Sequence, residues 1–153
     1  MYILLDIDGV MVPTKSWQPP ILLDDGFPEF SQRAVKVLRM ILTNKCTVVL
    51  TTSHKSRFTL NEWQLIFSRR GIHLPHLQTL VENNGFVNRR EEVLNWLKSN
   101  SVIDNFIILD DDTSLNDLPS NMKRHLVLTK TMIGLAEQQM DEIREKLKYT
   151  ILT

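Results

Sequence analysis

The sequence predicts an α/β sandwich of three layers built around a mostly parallel central sheet. Two observations carry this. Short runs of consecutive apolar, β-rich residues recur along the chain, and stretches with apolar residues at helical spacing lie between them. A strand that is apolar on both sides needs cover on both faces, which is the condition of a parallel sheet between helix layers.

The first strand is Tyr2–Asp6 (YILLD). Residues 11–29 (MVPTKSWQPPILLDDGFPE) follow it and hold four of the six prolines, so they predict a loop or flap rather than a regular element. Phe30, Ala34, Val37, Leu38, Ile41 and Leu42 then form the stripe of a first helix, which leads to the strand Thr47–Leu50 (TVVL). A second helix is marked by Leu60, Trp63 and Phe67; Thr59-Leu-Asn-Glu62 has capping-box spacing at its start and Gly71 is its stop. Leu77–Val81 is a further candidate strand. Asn88 is a capping residue that places Arg89 in the first turn of a third helix carrying Val93, Trp96 and Leu97. Phe106–Asp110 (FIILD) and His125–Thr129 (HLVLT) are the last strands, and Ala136, Met140, Ile143 and Leu147 stripe a final helix. No repeat or linker divides residues 1–153, so one domain is expected.

Composition narrows the partners. With 42% hydrophobic and 24% charged residues, the chain has the balance of a folded globular protein rather than a disordered one. Eighteen basic and eighteen acidic residues cancel, so no global field draws it to nucleic acid or anionic membrane, and any polyanion must be bound locally. The first residues lack a basic leader and a small-residue cleavage site, and no run of about 18 apolar residues occurs, so neither a signal peptide nor a membrane span is expected. The single cysteine, Cys46, reads as a buried small hydrophobe. A reduced, cytoplasmic setting is the expectation.

Polar residues collect where strands end. Asp6 and Asp8 follow the first strand, Thr51-Thr-Ser-His-Lys55 the second and Asp110-Asp-Asp112 a later one, while Arg89 opens a helix. A parallel sheet brings such points to one rim, where ligands of open α/β sheets bind. Carboxylates in that density need a cationic partner. Hard oxygen donors from two separated acidic clusters suit Mg²⁺ together with a phosphate group. Hydroxyls and backbone N–H groups of the threonine loop, with Lys55 and Arg89, would meet the phosphate oxygens. The chemistry indicated is phosphoryl transfer.

These residues carry a resemblance. Asp6-Ile-Asp8-Gly9-Val10 is similar to the first motif of the haloacid dehalogenase (HAD) superfamily, and the threonine loop, the basic residue at a helix start and the later acidic cluster match its remaining motifs in order. VVLTTSHK, NRREEVLNWL, IILDDD and HLVLT followed by Gly134-Leu135 resemble more specifically the small HAD domains of the Swiss Army Knife RNA-repair group. The resemblance implies a Rossmann-like fold and a Mg²⁺-dependent phosphatase without a large cap domain, since one loop and one helix fill the space between the first two motifs. It implies that Asp6 is the nucleophile and Asp8 the general acid/base. The metal would be held by Asp6, the backbone carbonyl of Asp8, and a side chain among Asp110 and Asp111. Thr51 or Thr52 would bind phosphate, with Arg89 as the third-motif base. Lys55 stands where relatives have arginine, and would contact phosphate less rigidly than a guanidinium fork. An uncapped site admits a phosphate on a macromolecule or large ligand, a nucleic-acid end among them.

Plainer readings stand beside these. D-x-D-G also forms simple turns. Thr51–Ser53 could merely end a strand, and Asp110–Asp112 could be a loop or cap. Arg89 could be a solvated helix-start residue, although a cation there opposes the helix dipole. His54, His73, His76 and His125 lack metal-ligand spacing and read as surface or packing residues; Arg69-Arg70 and Arg89-Arg90 read as solvated, with a shared basic rim as the alternative, and Trp63 and Trp96 as core. At the level of function the rivals are a receiver-like module that accepts a phosphoryl group without turnover and a catalytically silent scaffold.

Overall fold

The computed structural model describes residues 1–80, 88–102 and 104–151. Five strands, β1 (Tyr2–Leu5), β2 (Thr47–Leu50), β3 (Leu77–Thr79), β4 (Phe106–Asp110) and β5 (Leu126–Leu128), form one sheet in the order β3-β2-β1-β4-β5. Every neighbouring pair is parallel. The helices are α1 (Gln32–Ile41), α2 (Leu60–Arg69), α3 (Arg89–Ser99), α4 (Ser120–Lys123) and α5 (Met140–Ile151). The fold is therefore α/β, a three-layer sandwich about a parallel sheet. The candidate strand at 77–81 is realised over Leu77–Thr79, and Val81 lies outside the described residues.

Side-chain alternation divides the core in two. Ile3, Leu5, Val48, Leu50, Ile107, Leu109 and Val127 point to one face and pack on α1, α2 and α5. Leu4, Val49, Phe106, Ile108 and Leu126 point to the other, against Val93, Trp96 and Leu97 of α3. Handedness explains the division. The chain moves from β1 through β2 to β3 in one direction with α1 and α2 on one face, then returns past β1 to β4, and a right-handed crossover in the reverse direction puts α3 on the opposite face. The reversal leaves a switch point beyond the carboxyl ends of β1 and β4, where such sheets bind ligands.

Local signals place the helix ends. Ser31 caps α1, with its hydroxyl accepting from the Ala34 N–H. Thr59 and Glu62 form the complete capping box of α2. Residues 11–29 contain only isolated bridges, among them Lys15 with Gln18 and Leu22 with Pro28. This flap is fastened by Arg70, which corrects the reading of that residue as solvated. Its guanidinium makes two hydrogen bonds to Asp25, at 2.7 and 2.9 Å, and one each to the carbonyls of Phe27, Pro28 and Ile66. The side chain is 2% exposed and lies over the rings of Phe27 and Phe30.

Candidate active site

Strand register builds the rim of the site. Leu5 is level with Leu50 of β2 and with Leu109 of β4, so the next residues, Asp6, Thr51 and Asp110, form a row across three adjacent strands. Asp6 N–H donates to Leu109 O at 3.0 Å and Thr51 N–H to Leu5 O at 2.9 Å, which extends the ladder one residue past the strands and fixes that row. Leu5, Leu50 and Leu109 face the α1 side, so by alternation the three polar residues face α3.

Arg89, the first residue of α3, meets them there. Asn88 caps the helix by accepting from the Glu91 N–H at 3.0 Å, which sets where the arginine begins. Arg89 Nη1 donates to Asp110 Oδ2 at 2.6 Å and to Thr51 Oγ1 at 3.3 Å, and lies 3.5 Å from Asp6 Oδ1. The Thr51 hydroxyl donates to Asp110 Oδ2 at 3.2 Å. The other oxygen of Asp110 accepts from the backbone N–H groups of Asp111 and Asp112, at 2.8 and 3.1 Å.

Carboxylate oxygens of Asp6, Asp110 and Asp111 all lie within 4.8 Å of one another, with Asp6 and Asp110 buried. Gly9 makes room for this. Its φ of +80° suits glycine, and a Cβ at this position would run into the Asp111 carboxylate. Thr131 holds that carboxylate from the far side with a 2.7 Å hydrogen bond. Asp112 is diverted from the cluster, because its side chain accepts from the Ser114 N–H and caps the 3₁₀ turn Thr113–Asp117.

Among the described residues one cation, Arg89, pairs with Asp6 and Asp110 in this cluster of three carboxylates, and the electrostatics register the deficit. Burial above all, then the charge of Asp110, pushes the Asp6 carboxyl up to about 9 against the opposing pull of Arg89. Burial likewise raises Asp110, again against Arg89. Three convergent hard oxygen donors, short of positive charge, are the donor set a divalent cation such as Mg²⁺ takes. The residues present fit that ion.

Asp8 lies on the outer side of the row. The backbone N–H groups of Val10, Met11 and Val12 all donate to Ile7 O, a tight turn that brings the Asp8 carboxylate to the surface with its side chain 47% exposed. His54 Nε2 meets Asp8 Oδ2 at 2.8 Å. Arg57 Nη1 donates to His54 Nδ1 at 3.3 Å, which leaves the ring proton on Nε2, aimed at Asp8. The Thr52 hydroxyl accepts from the His54 N–H at 3.2 Å, so Thr52 shapes this loop. The Lys55 ammonium pairs with Glu92 of α3 at 3.0 Å, and its carbonyl accepts from the Trp63 indole.

The structure thus brings Asp6, Thr51, Arg89, Asp110 and Asp111 into one cluster. Asp8 and Thr52 flank it, and Lys55 links the threonine loop to α3. His54 is the residue that sequence reasoning missed, having been assigned to surface or packing on ligand spacing alone. Its place two residues past Thr52, at the end of β2, was the signal that could have found it.

The family described as the HAD domain in Swiss Army Knife RNA repair proteins matches residues 2–140. Searches of the curated proteins and of the solved structures give no match.

Proposed function

The chain belongs to that family of HAD domains, and on this premise we propose that it is a Mg²⁺-dependent phosphohydrolase working through an aspartyl-phosphate on Asp6. The observation that carries the reading is the convergence of Asp6, Asp110 and Asp111 beside the partly buried Arg89 at the switch point of the sheet. Mg²⁺ would be held by Asp6, by Asp110 or Asp111 and by the Asp8 carbonyl, and when bound it neutralises carboxylate and phosphate charge as a Lewis acid.

The protein's own groups do the remaining work. An Asp6 oxygen attacks phosphorus, the bond from phosphorus to the leaving oxygen breaks, and Asp8 delivers a proton to that oxygen. Asp8 then takes a proton from water, whose oxygen attacks the same phosphorus; the bond to Asp6 breaks and phosphate leaves. His54, oriented by Arg57, holds the Asp8 carboxyl in place across these two proton transfers. Among the described residues, Arg89 commits only Nη1 to Asp110 and Thr51, so the rest of its guanidinium fork is free to meet phosphoryl oxygens. Thr52 lies in the same loop as a further phosphate donor, and Thr51 and Lys55 would join it by exchanging their bonds to Asp110 and Glu92 for bonds to phosphate. The substrate is a phosphate monoester, with the phosphate of a large ligand or nucleic-acid end among the candidates.

Phosphate release measured with Mg²⁺ and with EDTA, in wild type and Asp6→Asn, tests this. Turnover is expected only in the wild type with Mg²⁺. Rapid acid quench followed by peptide mass spectrometry should find transient phosphate on Asp6. Undiminished turnover in the variant, or stable phosphorylation at Asp111, would overturn the assignment, the latter in favour of a receiver-like module.

A further inference from the structure

We propose that the cavity beside Asp8 is the leaving-group pocket, and that it takes an alcohol carrying a second anionic group. The inference rests on the phosphohydrolase reading, because the leaving oxygen must come within reach of the Asp8 carboxyl.

The cavity has a volume of about 470 Å³ and lies between the flap and the loop that ends β2. That is large enough for a compact organic ligand. Asp8 forms part of its wall, so an alcohol departing from phosphorus past Asp8 enters this space. Pro13, Pro20 and Pro28 of the flap supply an accessible apolar surface, backed by Phe27, which is 1% exposed beneath it, meets His54 edge-on at 5.9 Å and is held by the Arg70 clamp. Leu22 adds apolar area on the flap side.

Charge then selects the ligand. The lining carries two cations, Lys15 and Arg57, and one carboxylate, Asp8, which is already hydrogen-bonded to His54. Arg57 is held at the wall by its bond to His54 Nδ1 and by lying 5.3 Å from the Phe58 ring centre. Lys15 is presented by a tight turn in which Gln18 N–H donates to Lys15 O, and among the described residues its ammonium joins no ion pair. Two cations above an apolar floor suit one additional carboxylate or phosphate. They are too few to track a polyanion along its backbone, and the chain as a whole has no net charge to help.

The test compares phenyl phosphate with 4-carboxyphenyl phosphate at saturating Mg²⁺. The charged ester is expected to have about tenfold higher kcat/KM, the worth of one partly exposed charge-assisted contact. Lys15→Glu should erase or invert that preference, and comparing variants cancels the intrinsic difference between the leaving groups. A nucleoside 3′-phosphate and a 3′-phosphorylated dinucleotide, whose phosphodiester supplies the second charge, form the parallel pair. Preference in the first pair identifies a free acid as the source; preference in the second alone identifies a chain end. Equal kcat/KM within both pairs, or a preference that survives Lys15→Glu, overturns the pocket while leaving the phosphohydrolase intact. Ligand-observed NMR on metal-free protein separates the converse case. Binding of 4-hydroxybenzoate over phenol, lost in Lys15→Glu and accompanied by no turnover of any ester, keeps the anion pocket and sinks the reaction.

Discussion

Two arginines, one buried and one partly buried, do opposite things in this molecule. Arg70 faces one carboxylate and three carbonyls, and all five of its N–H donors are used. Arg89 faces two carboxylates of a three-carboxylate cluster, and among the described residues makes its hydrogen bonds through one nitrogen. The titration of their partners differs accordingly. Hydrogen bonding to Arg70 holds Asp25 down at about 2, whereas burial and Asp110 drive Asp6 up to about 9. A balanced, saturated pair fixes structure. An unbalanced cluster, which would hold a proton for want of a further cation, is the one able to do chemistry.

The largest effect expected from this contrast is on stability. Arg70→Ala removes five hydrogen bonds from Asp25 and three carbonyls and should cost about 3–5 kcal/mol, seen as a lower urea midpoint that Mg²⁺ does not restore. Arg89→Ala should instead lower kcat about 10²–10³-fold, as loss of a positioned charge stabiliser does. Its metal-free form should also be less stable, and here Mg²⁺ should restore stability. If Mg²⁺ rescued both variants or neither, the distinction between a structural and a functional arginine would fail.

pH separates the two regions again, more weakly. The unfolded Asp6 carboxyl ionises near 3.8 while the folded one keeps its proton to about 9, so the unfolded state binds fewer protons between these values. Stability of the metal-free protein should therefore fall as pH rises from about 4 to 9, and saturating Mg²⁺ should flatten the slope. Asp25 acts in the other direction. Its contribution is complete above 3.8 and lost as pH falls towards 2, with or without metal, and is on the order of 1 kcal/mol once solvent screening is allowed for. Denaturant titrations across pH, with and without Mg²⁺, measure both.

The smallest effect belongs to His54. As a positioning residue beside Asp8, its replacement by Ala should reduce kcat about tenfold or less with KM little changed, and His54→Gln, which keeps an N–H donor, should recover part of the loss. A shift in KM alone would assign His54 to substrate contact instead.

Much of the fold and part of the site could be read along the chain, because those features depend on neighbours. The apolar runs located the strands, the capping box located the start of α2, and Asn88 placed Arg89 at the head of α3. Asp6, Thr51 and Asp110 were candidates because each ends a strand run. The partners of Arg70 and His54 were not legible, for the complementary reason: Arg70 finds Asp25 45 residues away, and His54 finds Asp8 across 46. Neither separation leaves a periodicity, and a basic pair after an amphipathic helix looks like any solvated helix end.

Sequence alone determined the α/β class, the order of the strands and of every helix but the short α4, and the set of polar residues delivered to one rim, since burial pattern and capping are local consequences of side-chain chemistry. Tertiary structure decided which members of that set became a cluster. Register aligned Asp6 with Thr51 and Asp110, the cap on the turn at 113–117 drew Asp112 away and left Asp111, and the glycine at position 9 gave Asp111 its space. Charge coupling falls steeply with distance and dielectric, so a shift of an ångström or two in packing decides whether a carboxylate pairs, caps a helix or waits for a metal, and no one-dimensional pattern records that.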